Sequence, residues 1–159
     1  MKSLRSAFAS AVVCLSLLAV AVSAPAAASD DELRIFDLVN QERARRSLPP
    51  LEWDARLNEM ARRYSRSMAE GGFFDHYDPS GGSVVDRARA GRVNGWRRIG
   101  ENLFFCSASP RFTSLAVRGW LASPSHRENM LDRRWTATGI GVARSRSGAI
   151  YVTEVFIED

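Results

Sequence analysis

Histidine occurs only twice among the 159 residues, and both copies sit in polar, acid-bearing loops. The loops read Phe74-Asp75-His76-Tyr77-Asp78-Pro79 and Ser123-Pro124-Ser125-His126-Arg127-Glu128-Asn129, and Gly100-Glu101-Asn102-Leu103 lies between them in the chain. Two imidazoles and a carboxylate suit a divalent transition metal, zinc before others, with an open position for a further ligand. His76, Glu101 and His126 are therefore the candidate ligands. Asp75 and Asp78 could hold the second ring nitrogen of His76, the usual support of a ligating histidine. Asn102 and Glu128 are the corresponding supports near the other two. Gly100 allows close backbone approach beside Glu101 and an unusual dihedral. Taken singly, each residue also has an ordinary reading: a surface histidine, a turn glutamate, a capping acid. No short metal-binding spacing such as His-x3-His is present, so only the fold can assemble this set.

The elements that must do so are read from caps and periodicity. Ser29 and Glu32 have capping-box spacing, and Leu33, Ile35, Phe36, Leu38 and Val39 form a broad apolar stripe, which predicts a helix from about Asp30 to Arg46. Leu48-Pro49-Pro50 breaks the pattern. Asp54 then caps a second helix with Leu57, Met60, Ala61, Tyr64 and Met68 on one face and Gly71-Gly72 at its end. The loop from Phe73 to Gly82 carries His76; Ser83 caps a short helix with Val84, Val85 and Ala88, which Gly91 closes. Ile99 to Phe105 reads as extended. Ser109-Pro110 predicts a cap and first-turn proline for a helix with Phe112, Leu115, Ala116 and Trp120 facing inward. Ser123-Pro124-Ser125 interrupts that helix. Ser125 is expected to cap the next one, which puts His126 in the first turn, where the positive helix end keeps an imidazole neutral, and Glu128 at the third position. Ile140 and Val142, then Ile150, Val152 and Phe156, alternate on either side of Arg146-Ser147-Gly148 and predict a hairpin. Helices first and strands last give an α+β fold class.

Residues 1–28 read as a secretory signal peptide, with Lys2 and Arg5 before the apolar run from Ala7 to Val22 and small residues at Ala26-Ala27-Ala28. The run is short for a stop-transfer segment, and nothing later approaches the length of a bilayer span. Cys14 has no small residue just before it, which argues against lipid attachment there. The expectation is a secreted protein, extracellular or periplasmic, with a single domain over residues 29–159 and a monomeric state. Two of the 22 basic residues lie in the leader, so the domain carries 20 arginines against 18 acids. That near balance, with no isolated basic block, argues against nucleic acid as a partner. Cys106 is the only cysteine left in the domain, so no internal disulfide is available. It reads as a small buried hydrophobe, with covalent dimerisation as the alternative.

The ordered motifs Leu38-Val39-Asn40-Gln41-Glu42-Arg43, Phe74-Asp75-His76-Tyr77-Asp78-Pro79, Gly100-Glu101-Asn102-Leu103, Trp120-Leu121-Ala122-Ser123-Pro124-Ser125-His126-Arg127-Glu128-Asn129-Met130-Leu131, Thr138-Gly139-Ile140-Gly141-Val142 and Tyr151-Val152-Thr153-Glu154-Val155-Phe156 resemble the bacterial branch of the CAP superfamily. That superfamily takes in cysteine-rich secretory proteins, antigen 5 and pathogenesis-related proteins, its shared unit also being called the SCP domain. The resemblance covers about Leu33 to Phe156. It implies a three-layer α-β-α sandwich with a central cleft, in which two histidines and two acids hold a divalent cation. His76, Glu101 and His126 fall on three of those four positions. The second acid usually stands on the helix before the second histidine, but Leu115 to Ala122 contains no Asp or Glu.

Two functions compete at this stage. One is a non-enzymatic binding module whose cleft takes a cation and a small, lipid-like or cell-envelope ligand, since relatives are associated with sterol and fatty-acid binding, signalling and defence. The other is a metal-dependent extracellular hydrolase of peptide or ester bonds, with water on a zinc held by His76, Glu101 and His126. It needs a base that the sequence does not supply, because Asp75, Asp78 and Glu128 all have structural explanations. A serine nucleophile, Ser83 or Ser125 with His126, lacks the Gly-x-Ser-x-Gly elbow.

Overall fold

The computed structural model describes residues 27–159, so the expected leader and Cys14 lie almost wholly outside it. Five helices and four strands follow in the order α1 (Asp30–Ala44), β1 (Glu52–Trp53), α2 (Ala55–Gly71), α3 (Val84–Ala90), β2 (Arg98–Cys106), α4 (Phe112–Ala122), α5 (Pro124–Met130), β3 (Ala137–Arg144) and β4 (Ile150–Glu158). The strands form one sheet in the order β1-β3-β4-β2, parallel between β1 and β3 and antiparallel elsewhere. The chain is an α+β sandwich. The helix α2 covers one face of the sheet, with α3 beside it, while α1, α4 and α5 cover the other.

Local chemistry accounts for most boundaries. Ser29 and Glu32 form the expected capping box of α1, and Asp54 accepts from the Arg56 and Leu57 amides to cap α2. Ser83 and Asp86 make a second box on α3. The α2 stripe of Leu57, Met60, Ala61, Tyr64 and Met68 is buried throughout. It lies so close to the sheet that a Cβ on Gly139 would stand 2.1 Å from the Asn58 amide nitrogen, and one on Gly141 would stand 2.1 Å from that of Arg62. On the opposite face Ile140, Val152 and Phe156 pack with Ile35, Val39, Phe112 and Trp120. The two faces thus follow the period of two along each strand.

Several expectations are corrected. Strand β1 has no sequence signature, because two residues show no alternation and are defined only by their pairing with Ala137 and Thr138. Ser109 does not cap α4: its hydroxyl accepts from the Arg111 amide, a turn is spent on Pro110 and Arg111, and the helix starts at Phe112. The cap of α5 is Ser123, not Ser125. Pro124 takes the first helical position, where a missing N–H costs nothing, and this moves the start two residues back. Glu128 therefore closes no capping box and stands exposed on the helix. The first helix ends at Ala44, followed by a turn.

Candidate functional site

The edge strand β2 positions the site. Successive residues on a strand face opposite ways, so Glu101 points to the α2 and α3 side and Asn102 to the α5 side. Their partners on β4 are Val155 and Glu154. Asn102 donates from Nδ2 to the His126 carbonyl at 3.0 Å, and Asn129, one helical turn after His126, donates from Nδ2 to the Glu101 carbonyl and to Asn102 Oδ1, both at 3.1 Å. Trp135 Nε1 donates to the Asn129 carbonyl at 2.7 Å. These bonds moor α5 to the sheet edge. Gly100 leaves them room: a Cβ there would stand 2.7 Å from Asn129 Oδ1 and 2.9 Å from the Trp135 ring. Its φ is not positive, so space rather than dihedral freedom is what glycine provides.

From the other layer, the loop between α2 and α3 brings His76 over the same edge. Its Nδ1–H donates to Glu101 Oε1 at 2.9 Å, and its ring centroid lies 6.3 Å from that of His126. His76 is 48% exposed in its side chain and Glu101 only 3%. The second glutamate oxygen, Oε2, accepts from Arg87 Nη2 at 2.5 Å. The guanidinium is itself fixed: Nη1 donates to the carbonyls of Gly82 at 3.1 Å and His76 at 3.2 Å, and its central carbon lies 3.4 Å from the centroid of Tyr64. Tyr64 in turn donates its hydroxyl to the Asp75 carbonyl at 2.6 Å, and burial pushes its phenol up to about 12. His126 is pushed below the ordinary imidazole range by burial and then by the like charge His76 would carry.

His76, Glu101 and His126 thus line one cleft of about 380 Å³, together with Asn102, Glu128 and Asn129 and, at its rim, Arg98, Asp132 and Arg134. Asp75 and Asp78 do not meet the His76 ring nitrogens. Asp75 accepts from the Tyr77 amide and Asp78 from Ser80 and Gly82, as turn-forming carboxylates do. Glu101 performs the orienting role expected of them. Among the described residues no group of three or more His, Cys, Asp or Glu is arranged to hold a metal ion. Glu101 accepts on both oxygens, from His76 and from Arg87. The two imidazoles lie tilted at 38° to one another. Sequence reasoning missed Arg87, Tyr64 and Asn129. A signal for Arg87 existed: it shares the inner face of α3 with Val84 and Ala88, an unusual place for a guanidinium.

Comparison with known proteins agrees with this architecture. Residues 36–156 match the family described as CAP: Cysteine-rich secretory protein family. The chain is 33% identical over 135 residues to YkwD of Bacillus subtilis (strain 168), covering 85% of this chain and 50% of that protein. An extracellular protein containing a SCP domain from Bacillus anthracis str. Ames superposes with a TM-score of 0.71 at 33% identity, over 81% of this chain and 40% of the other. An outer surface protein of Borrelia burgdorferi superposes with a TM-score of 0.72 at 19% identity, over 81% and 92%. The chain spans half or less of the two Bacillus relatives. Among the described residues no helix is long and apolar enough to cross a membrane.

Proposed function

Because the chain belongs to the CAP, or cysteine-rich secretory protein, family, we propose that it acts outside the cytoplasm as a non-enzymatic binding module whose cleft takes a divalent transition metal ion, zinc before others, between His76 and His126. The observation that carries this reading is the 2.9 Å bond from His76 Nδ1 to Glu101. A ligating histidine characteristically gives its other ring N–H to a carboxylate, which fixes the tautomer and leaves the Nε2 lone pair free. Glu101 then stands behind the ligand rather than beside it. Across the cleft the burial that lowers His126 favours the neutral ring a metal needs. Such an ion would supply Lewis acidity and a fixed positive charge with which to hold a polar ligand.

The lining favours a polar ligand. Imidazole, amide and guanidinium groups surround the cleft, so an envelope component would present its polar part there rather than an alkyl chain. Binding is favoured over hydrolysis because Glu101 already accepts on both oxygens and Asp132 is paired with Arg134 at 2.7 Å, which leaves exposed Glu128 as the one acid of the cleft that could serve as a base. The same relatives motivate the location: one is described as an extracellular protein and another as an outer surface protein.

Calorimetric titration of the purified protein with zinc chloride tests the reading. The wild type is expected to bind one ion, and His76→Ala and His126→Ala are each expected to weaken it by about 100-fold or more. Equal heats from the wild type and the double variant would overturn it.

A further inference from the structure

We propose that Arg87 sets the ion selectivity of this cleft by withdrawing Glu101 from the donor set. The inference rests on the histidine-pair reading above and adds to it the class of ion admitted: nitrogen-seeking ions such as zinc, copper and nickel rather than oxygen-seeking magnesium, calcium or manganese.

Three observations converge on Arg87. First, its guanidinium holds Glu101 Oε2 at 2.5 Å while His76 holds Oε1 at 2.9 Å, so each oxygen is already turned to a fixed N–H donor and an ion would have to compete with both. Second, the arginine cannot easily swing away. Its side chain is 13% exposed, lies flat on Tyr64 and is tied to two carbonyls, and an arginine stacked and forked in this way loses little further freedom on holding a carboxylate. Third, the other acids of the cleft are poor substitutes: α4 contains no Asp or Glu, Asp132 is paired with Arg134 at 2.7 Å, and Glu128 stands exposed on α5. Oxygen-seeking cations draw their affinity from several carboxylate and carbonyl oxygens, whereas imidazole suits zinc, copper and nickel. A fixed positive charge on the buried carboxylate of the cleft also opposes a dication that needs that carboxylate, while an ion held by imidazole nitrogens does not depend on it. Arg87 is in this sense a positioning residue, acting through Glu101 on what the histidines can hold.

The test compares manganese and zinc on the wild type and on Arg87→Met, which keeps an apolar stem against Tyr64 and removes the fork. Manganese is followed by electron paramagnetic resonance and zinc by calorimetry. Relative to wild type, the variant is expected to gain manganese affinity by about tenfold or more, with zinc changed by less than about threefold. A general loosening of the fold would not produce that split. If the wild type binds zinc but the manganese-to-zinc ratio is the same in both proteins, the role of Arg87 is overturned and the histidine-pair reading stands. If Arg87→Met gains manganese while neither protein binds zinc, the histidine pair fails and the screening role survives. Wild-type manganese binding within about tenfold of zinc overturns the selectivity claim whether or not the variant folds. Binding of neither ion by either protein overturns both.

Discussion

The two faces of the sheet are packed by opposite means. Against α2 the sheet offers Gly139 and Gly141, so helix backbone and strand backbone nearly touch. Against α1, α4 and α5 it offers Ile140, Val152 and Phe156, and bulk fills the space. Their buried glutamates differ as well. Glu101 faces the α3 side and is held by Arg87 and His76. Glu154, paired with Asn102 on the next strand, faces the other side and is fully buried, with the Arg43 charge and the Thr138 side chain as the groups that ease its burial. Arg43 stands in the same layer, its Nε and Nη1 spent on the carbonyls of Pro49, Met130 and Asp132. A third glutamate, Glu32, is as buried as Glu154 but accepts from Arg62, from the Ser29 amide at 2.8 Å and from the Val142 amide at 3.2 Å on the sheet edge that short β1 leaves uncovered. Burial alone does not set the character of a carboxyl; its donors do.

Breaking the close face should cost the most stability. Gly141→Ala puts a methyl group into the Ala61–Arg62 backbone, and the expected loss is about 3 kcal/mol or more, read as a large fall in the denaturation midpoint. Gly141→Ala melting within a degree of wild type would show that the faces do not differ as described.

The next effect sharpens the contrast between glutamates. Burial works against ionisation of Glu32, but its bonds from Arg62, Ser29 and Val142 outweigh that and leave the carboxyl below the usual range. A folded pKa below the unfolded one stabilises above the unfolded value and is lost as pH falls through the folded one. Glu32→Gln, which removes the buried carboxylate that Arg62 pairs with and leaves its bond to the Ala27 carbonyl, is expected to cost roughly 3 kcal/mol at pH 7 and little in strong acid. A chemical-denaturation series from pH 7 to 3 reads the difference.

Glu154 should slope the other way. Burial raises its carboxyl to about 8, with the Arg43 charge opposing. The unfolded chain therefore ionises first, and stability falls as pH rises from the ordinary carboxylate range to about 8, then levels off. Glu154→Gln removes that slope, and because the cost of burying the amide is the same at every pH, the variant is expected to gain about 4 kcal/mol on wild type between pH 4.5 and pH 8. An identical pH profile for the two proteins would contradict the assignment.

The sequence made legible whatever rests on local chemistry. The Ser29 and Asp54 caps, the α2 stripe and the C-terminal hairpin all follow from spacing, because caps and periodic faces are short-range devices. What stayed illegible depends on distant partners. The strand β1 exists only through β3, and Arg87 matters only because Glu101 lies opposite. Ser123 and Ser125 were both chemically suited to cap α5, and the fixed φ of Pro124 decided between them. The candidate histidines stood out by residue type, but the role of Glu101 behind His76 needed the register of β2 against the loop.

One ring of the cleft is carried by the α2–α3 layer and the other by α5, across the rim of the sheet. Anything gripped by both at once becomes a clasp between the two halves of the sandwich. Because a species that binds only the folded state adds RT ln(1 + [L]/Kd) to its stability, occupancy should be readable far from the site itself, as a rise in melting temperature with ion concentration.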